Sequence, residues 1–326
     1  MKKVINEPEN VVEEMLEGMV LAYPDRLKRI EGTNVLVRKT PKEGKVGLVS
    51  GGGSGHEPSH AGYIGKGMLD AAVAGEVFTS PTPDQVFEAI KAADSGQGVL
   101  LIVKNYSGDV MNFEMAAELA ENEGIHTERV IVNDDVAVGD SDNRRGIAGT
   151  VFVHKMAGAL AEQGASLDEV KNTAEKVIAN VRSMGMSMTP CTVPAVGKPG
   201  FEIAEDEMEL GMGIHGEQGM KRMKMTSADE IAEALVSRVV EDLPFTSGDS
   251  VAVMVNGLGA TPLMELFILN RKVSEILKEK GMDIKHTFVG EYMTSLEMAG
   301  CSVSLLKLDD ELESLLMAPA DSIAWR

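Results

Sequence analysis

The sequence predicts an α/β fold: two α/β domains, the first with a mostly parallel sheet flanked by helices. Two observations carry this. Short apolar runs of strand length alternate with longer stretches of helical period, the rhythm of β-α-β units. The 326 residues also exceed one ordinary domain of roughly 100–200 residues.

Val46 to Ser50 is an apolar run leading into the glycine cluster Gly51-Gly52-Gly53-Ser54-Gly55, and it predicts a strand followed by a loop. Gly98 to Lys104 (GVLLIVK) is continuously apolar, as a strand covered on both faces must be. It stops at Asn105-Tyr106-Ser107-Gly108-Asp109, and an amphipathic helix then runs to about Glu123. Arg129 to Val132 is the next strand, ending at Asn133-Asp134-Asp135. Ligands of such sheets sit beyond the carboxyl ends of the strands, where these polar clusters lie. Ser166-Leu167-Asp168-Glu169 is a capping box that opens a helix to about Ser183. Met184 to Gly213 is rich in Gly, Pro and Met without a clear period, so the domain boundary is drawn there, dividing residues 1–183 from 184–326. A second capping box, Ser227 to Glu230, opens a helix to Leu243. Strands follow at Val251–Val255, near Thr287–Val289 and at Ser302–Leu308, with a long helix from Thr261 to about Lys280.

Hydrophobic residues make up 44% and charged residues 25%, the balance of a soluble globular protein rather than a disordered one. Acidic residues outnumber basic ones 51 to 31, and a net charge of −20 disfavours nucleic acid and anionic membrane surfaces as partners. Cys191 and Cys301 are the only cysteines and neither belongs to a C-x-x-C pair. A disulfide scaffold and a cysteine zinc site are thereby disfavoured, and a reducing cytoplasm is the expected compartment. The N-terminal segment turns polar too soon for a secretory signal, and no apolar run approaches the ~20 residues of a spanning helix. The 21 methionines suggest a Met-packed core, with a Met-rich binding surface as the alternative.

Four readings compete for the glycine-rich segments. A phosphate-binding P-loop needs Lys-Ser/Thr after its last glycine, and His56-Glu57 stands there instead. Gly211 to Gly216 satisfies G-x-G-x-x-G, but the acidic stretch before it is no buried strand, which a dinucleotide fold requires. His56-Glu57-Pro58-Ser59-His60 matches the zinc motif H-E-x-x-H, yet Pro58 prevents both imidazoles from sharing a helix face, so no metal is expected. The fourth reading brings backbone N–H groups of Gly53, Ser54 and Gly55 up to a small oxygen-rich ligand, with His56, Lys104 and Asp109 converging from neighbouring strand ends. Each residue also has a plainer role: Asp109 as a helix N-cap, Lys104 as a solvated cation.

Val49 to Val86 (VSGGGSGHEPSHAGYIGKGMLDAAVAGEVFTSPTPDQV) resembles the K-subunit family of dihydroxyacetone kinases. The likeness continues through Val103–Asp109, Asn133–Ala137, Arg144–Thr150 and Glu209–Glu217, and so spans essentially the whole chain. One departure is Gln218, where the family commonly has proline after His-Gly-Glu. The resemblance implies that His215 attacks the ketone carbon of dihydroxyacetone and holds it as a hemiaminal, which excludes glycerol. It assigns Gly53, Ser54, Gly55, His56, Lys104 and Asp109 to substrate binding, and makes His56 and Asp109, with His215, the catalytic set. It further implies that this chain binds no cofactor itself. ADP or ATP with Mg²⁺ would sit on a separate L subunit, recharged in bacteria by a phosphoprotein M subunit fed from phosphoenolpyruvate. The chain ends at Arg326 without room for the nucleotide domain of single-chain relatives, and a homodimer is expected. A non-catalytic paralogue that reports the ketose to a transcriptional regulator is the alternative.

Overall fold

The computed structural model describes residues 2–139 and 141–325. Its first part holds α1 (Val11–Ala22), β1 (Leu27–Arg29), β2 (Val35–Arg38), β3 (Gly47–Ser54), β4 (Ala71–Val77), α2 (Pro83–Ala93), β5 (Val99–Lys104), α3 (Ser107–Asn122) and β6 (Thr127–Val132). These strands form one sheet in the order β1-β2-β4-β3-β5-β6. The four from β4 to β6 run parallel, and β2 pairs antiparallel with both β1 and β4.

Two helices, α4 (Thr150–Glu162) and α5 (Leu167–Asn180), lead into the second sheet. Its elements are β7 (Val181–Ser187), β8 (Glu207–Leu210), β9 (Lys221–Lys224), α6 (Ala228–Asp242), β10 (Ser250–Gly257), α7 (Leu263–Glu279), β11 (Asp283–Gly290), β12 (Gly300–Leu308) and α8 (Asp310–Met317). The order is β11-β10-β12-β7-β8-β9, with only β10 and β11 parallel.

Apolar residues on both faces of each sheet generate a layered arrangement. Val86, Ile90 and Phe113 of α2 and α3 cover one face of the first sheet at Val49, Leu101 and Val103. The other face, through Leu48, Leu100 and Ile102, shares a core with Phe152 and Val153 of α4 and Val170 and Val177 of α5. That core continues to Ala252, Met254 and Leu306 on the second sheet, whose far face is covered by α6 and α7 through Leu235, Val239, Leu266 and Val273. α4 is therefore clad on nearly every side, as expected of a helix whose sequence TVFVHKMAGALA lacks a polar face.

The apolar runs at Arg129–Val132, Val251–Val255 and Ser302–Leu308 each lie in a strand, namely β6, β10 and β12, and the run from Gly98 forms β5 from Val99 to Lys104. Both capping boxes form, with Ser166 and Ser227 each accepting from the backbone N–H three residues on and receiving Glu169 and Glu230 in return. The glycine cluster differs from its expectation: Gly51 to Ser54 is not a loop but the buried second half of β3. The helix expected to reach Ser183 stops at Asn180, and the position between Ser183 and Met184 lies inside β7. Among the described residues, no helix is long and apolar enough to cross a membrane.

Candidate active site

β3 has β4 on one side and β5 on the other, so the chain leaves the ends of β3 and β5 in opposite directions. That divergence opens a crevice at the carboxyl edge of the sheet, the usual place for a ligand in such folds. His56 follows two residues after β3, Lys104 is the last residue of β5, and Asp109 stands in the first turn of α3. The loop after β8 brings His215 to the same crevice from the second sheet.

His56 is fully buried and stacks on Phe78, with ring centroids 5.2 Å apart. Its Nδ1 lies 2.8 Å from the Thr294 carbonyl, which can only accept, so the proton sits on Nδ1 and the lone pair on Nε2. Nε2 faces His215 Nε2 at 3.0 Å. His215 Nδ1 is 2.8 Å from Glu217 Oε1, and its backbone N–H donates to Glu217 Oε2 at 2.9 Å. Burial pushes the Glu217 carboxyl up, but these hydrogen bonds and the charge of His215 outweigh it and hold the group to about 2. An ionised carboxylate behind Nδ1 fixes the proton there and leaves the second lone pair on Nε2. The extra proton that would bridge the two lone pairs is disfavoured on His56, whose basicity falls well below that of ordinary histidine through burial and then through Lys104 and His215. Phe78 and Tyr106 frame His215 with centroids at 5.1 and 4.6 Å, and its side chain is 18% exposed, the ring of the pair that solvent reaches.

Lys104 and Asp109 are buried, and neither the ammonium nor Asp109 Oδ1 has a hydrogen-bond partner among the described residues. Both crowd against Gly52: a Cβ there would lie 3.0 Å from Lys104 Nζ and 3.3 Å from Asp109 Oδ2. Burial pulls the Lys104 ammonium down, and Asp109 and Glu217 partly restore it. A buried cation and a buried carboxylate oxygen left unsatisfied mark a place prepared for a polar molecule.

The structure thus brings His215, His56, Lys104 and Asp109 together. Ser54 is engaged elsewhere, its Oγ donating to Gly75 O at 2.7 Å, and the Gly55 N–H donates to Glu57 Oε1 at 3.1 Å. Gly53 pairs with Gly75 inside the sheet. Asp109 is not the cap of α3, whose N-cap position is Tyr106. His60 turns away from His56 and meets His154 at 3.0 Å, so the H-E-x-x-H histidines share no site. The G-x-G-x-x-G stretch follows β8 but opens no helix, leading instead to β9. Phe78 and Thr294 went unread as site residues. Thr294 lies 238 residues from His56, and no local pattern signals that contact.

A model of the Dak1 domain matches residues 17–324. The chain belongs to the Dak1 family. It is 57% identical over 329 residues to the Listeria innocua protein named "PTS-dependent dihydroxyacetone kinase 1, dihydroxyacetone-binding subunit DhaK", and the alignment covers 100% of both chains. Among solved structures, the dihydroxyacetone kinase of C. freundii in complex with AMP-PNP and Mg²⁺ superposes with a TM-score of 0.94 at 36% identity, covering 99% of this chain and 60% of that one. A structure described as the dihydroxyacetone kinase operon co-activator Dha-DhaQ gives 0.92 at 37% identity, covering 96% of this chain and 98% of the other.

Proposed function

We propose that this chain is the substrate-binding, catalytic subunit of a cytoplasmic dihydroxyacetone kinase. It holds the ketone on His215 as a hemiaminal while a separate nucleotide-carrying subunit delivers the phosphoryl group. The observation that carries the reading is His215 itself: Nδ1 backed by the Glu217 carboxylate, Nε2 against His56 Nε2, and the unsatisfied Lys104 and Asp109 buried close by. Nε2 attacks the ketone carbon as the C=O π bond breaks, and the oxygen takes up one proton from the Lys104 ammonium, which is left as the neutral amine. The positive charge left on the ring is countered by Glu217. Glycerol has no carbonyl and forms no such bond. Asp109, or His56 through Nε2, then accepts the proton of the terminal hydroxyl as that oxygen attacks phosphorus.

Nucleotide and Mg²⁺ are assigned to the partner, a reading supported by the likeness to a protein named as the dihydroxyacetone-binding subunit of a PTS-dependent kinase. A second reading, a ketose sensor acting on a regulator, draws on the likeness to the co-activator structure. Presence of His56 and Asp109 beside His215 favours the enzyme. The deciding experiment combines this chain with a cognate L subunit and phosphoryl donor and monitors dihydroxyacetone phosphate. Steady turnover is expected; ketone binding with no turnover for any L subunit and donor would favour the sensor.

A further inference from the structure

The turn that carries His215 is fastened to the connection between β6 and α4 by a side chain that the proposed chemistry does not use. Arg145, between β6 and α4, is only 9% exposed. Its Nε donates to Asp135 Oδ2 at 2.8 Å, and its Nη2 donates to the Gly211 carbonyl at 2.8 Å. Asp135 returns its own backbone N–H to Arg145 O at 3.1 Å, which locks the base of the arrangement. The third nitrogen reaches Gly213: a Cβ built there would lie 2.6 Å from Arg145 Nη1 and 2.1 Å from Glu217 Oε2. Guanidinium and carboxylate thus both press on the bare Cα two residues before His215. From the other side Ser295 Oγ donates to Ile214 O at 2.5 Å, so the turn is held at Gly211, Gly213 and Ile214.

We propose that Arg145 is a positioning residue that acts through Gly211 and Gly213 to keep the Glu217 carboxylate on His215 Nδ1. It thereby sets which nitrogen of His215 is free to attack the ketone. The inference rests on the covalent role proposed for His215. Only a planar fork spans Asp135, Gly211 and Gly213 at once; the single ammonium of lysine does not. Arg144 supplies the internal contrast. It is equally buried, but it serves Asp242 at 2.9 Å and the Val138 carbonyl at 3.1 Å and does not hold the Gly211–Glu217 turn.

The test compares Arg145→Lys with Arg144→Lys in the full chain. ¹⁵N-histidine NMR of the free protein reports the tautomer of His215, and titrations report dihydroxyacetone against glycerol. The parent is expected to show Nδ1–H alone. Arg145→Lys is expected to mix the two tautomers and to weaken dihydroxyacetone binding on the order of 10²-fold, the usual result of a misplaced reacting group. Glycerol binding, and both readouts in Arg144→Lys, should stay at parent values. Should Arg145→Lys not fold, the isosteric Asp135→Asn removes the charge that anchors the fork and shifts both readouts in the same direction. Parent tautomer and parent ketone-to-glycerol ratio in the folded variant would overturn the proposal. A parent that keeps its Nδ1–H form yet adds no ketone would overturn the covalent role of His215 alone, since the tautomer is read without ligand.

Discussion

Two imidazole pairs in this chain share one spacing and little else. His56 Nε2 and His215 Nε2 are 3.0 Å apart, and so are His60 Nδ1 and His154 Nε2. In the first pair both outer nitrogens are anchored, by a carbonyl and by a carboxylate, and one ring meets solvent. In the second pair the outer nitrogens, His60 Nε2 and His154 Nδ1, have no partner among the described residues, and both rings are enclosed between β3 and α4 near Tyr63. Burial, followed by the charge of Lys104, holds His154 to about 3, so that ring stays neutral across the ordinary pH range. Proximity of imidazoles is therefore not what makes a nucleophile. A carboxylate behind the ring and access in front of it do that.

The comparison breaks most sharply at His215. His215→Ala should abolish the covalent adduct and the discrimination against glycerol, leaving weak non-covalent binding. Crystals soaked in dihydroxyacetone should show continuous density from ring to ketose carbon in the parent and none in the variant. Unattached ligand in well-ordered parent crystals would defeat the mechanism. Asp109→Asn should slow phosphoryl transfer by about 10²–10⁴-fold, the worth of a positioned base. Its melting temperature should move by no more than about 4 °C, because Asp109 caps nothing. A variant that melts early and turns over normally ends the catalytic role of Asp109. Glu217→Gln keeps the shape but removes the charge behind the ring, and the adduct should weaken by about 10-fold, the scale of one charged hydrogen bond. Unchanged ketone affinity in a calorimetric titration would show that the carboxylate contributes only geometry.

The smallest effect on turnover is expected in the second pair. His154→Leu should leave the rate within about 3-fold, since the ring lies outside the crevice, and should instead change the acid limb of stability. An unfolded histidine takes a proton near ~6.5, whereas His154 in the folded chain resists protonation until about 3. Acid therefore favours the unfolded chain, and stability present above that unfolded value is lost as pH falls toward the folded one. Between pH 7 and ~4.5 the parent should lose about 2–3 kcal/mol more than the variant, read from urea melts at both values. Parallel losses in the two proteins would contradict the assigned neutrality of His154.

Much of the scaffold was legible because it is written locally. The run GVLLIVK could only be a strand covered twice, and the two Ser-x-x-Glu boxes each opened the helix they announced. The glycine run misled for a physical reason. Glycine disfavours strands by propensity, yet at Gly53 the Thr79 backbone comes within 2.6 Å of where a Cβ would stand, so close packing selected the residue and extended β3. The antiparallel order of the second sheet left no trace in the sequence either, because β7 pairs with β12 across more than a hundred intervening residues. The same holds for the site. Glu217 is two positions from His215 and could be guessed as its neighbour, while the carbonyl that fixes the tautomer of His56 belongs to a residue near the far end of the chain.

That last contact has a consequence for how the protein comes into being. The first sheet closes with β6 at Val132, long before Thr294 and Leu296 have been synthesised. Until those two arrive to meet the His56 and Gly55 backbones, the first half of the site is present with nothing to orient its imidazole. Contacts of such long sequence separation form late, since the closure entropy of the intervening chain must be overcome first. A chain synthesised only as far as β6 thus carries Lys104, Asp109 and His56 without the carbonyl that orients the His56 ring. The geometry around the His56 imidazole is therefore complete only when the residues around Thr294 have joined the first sheet.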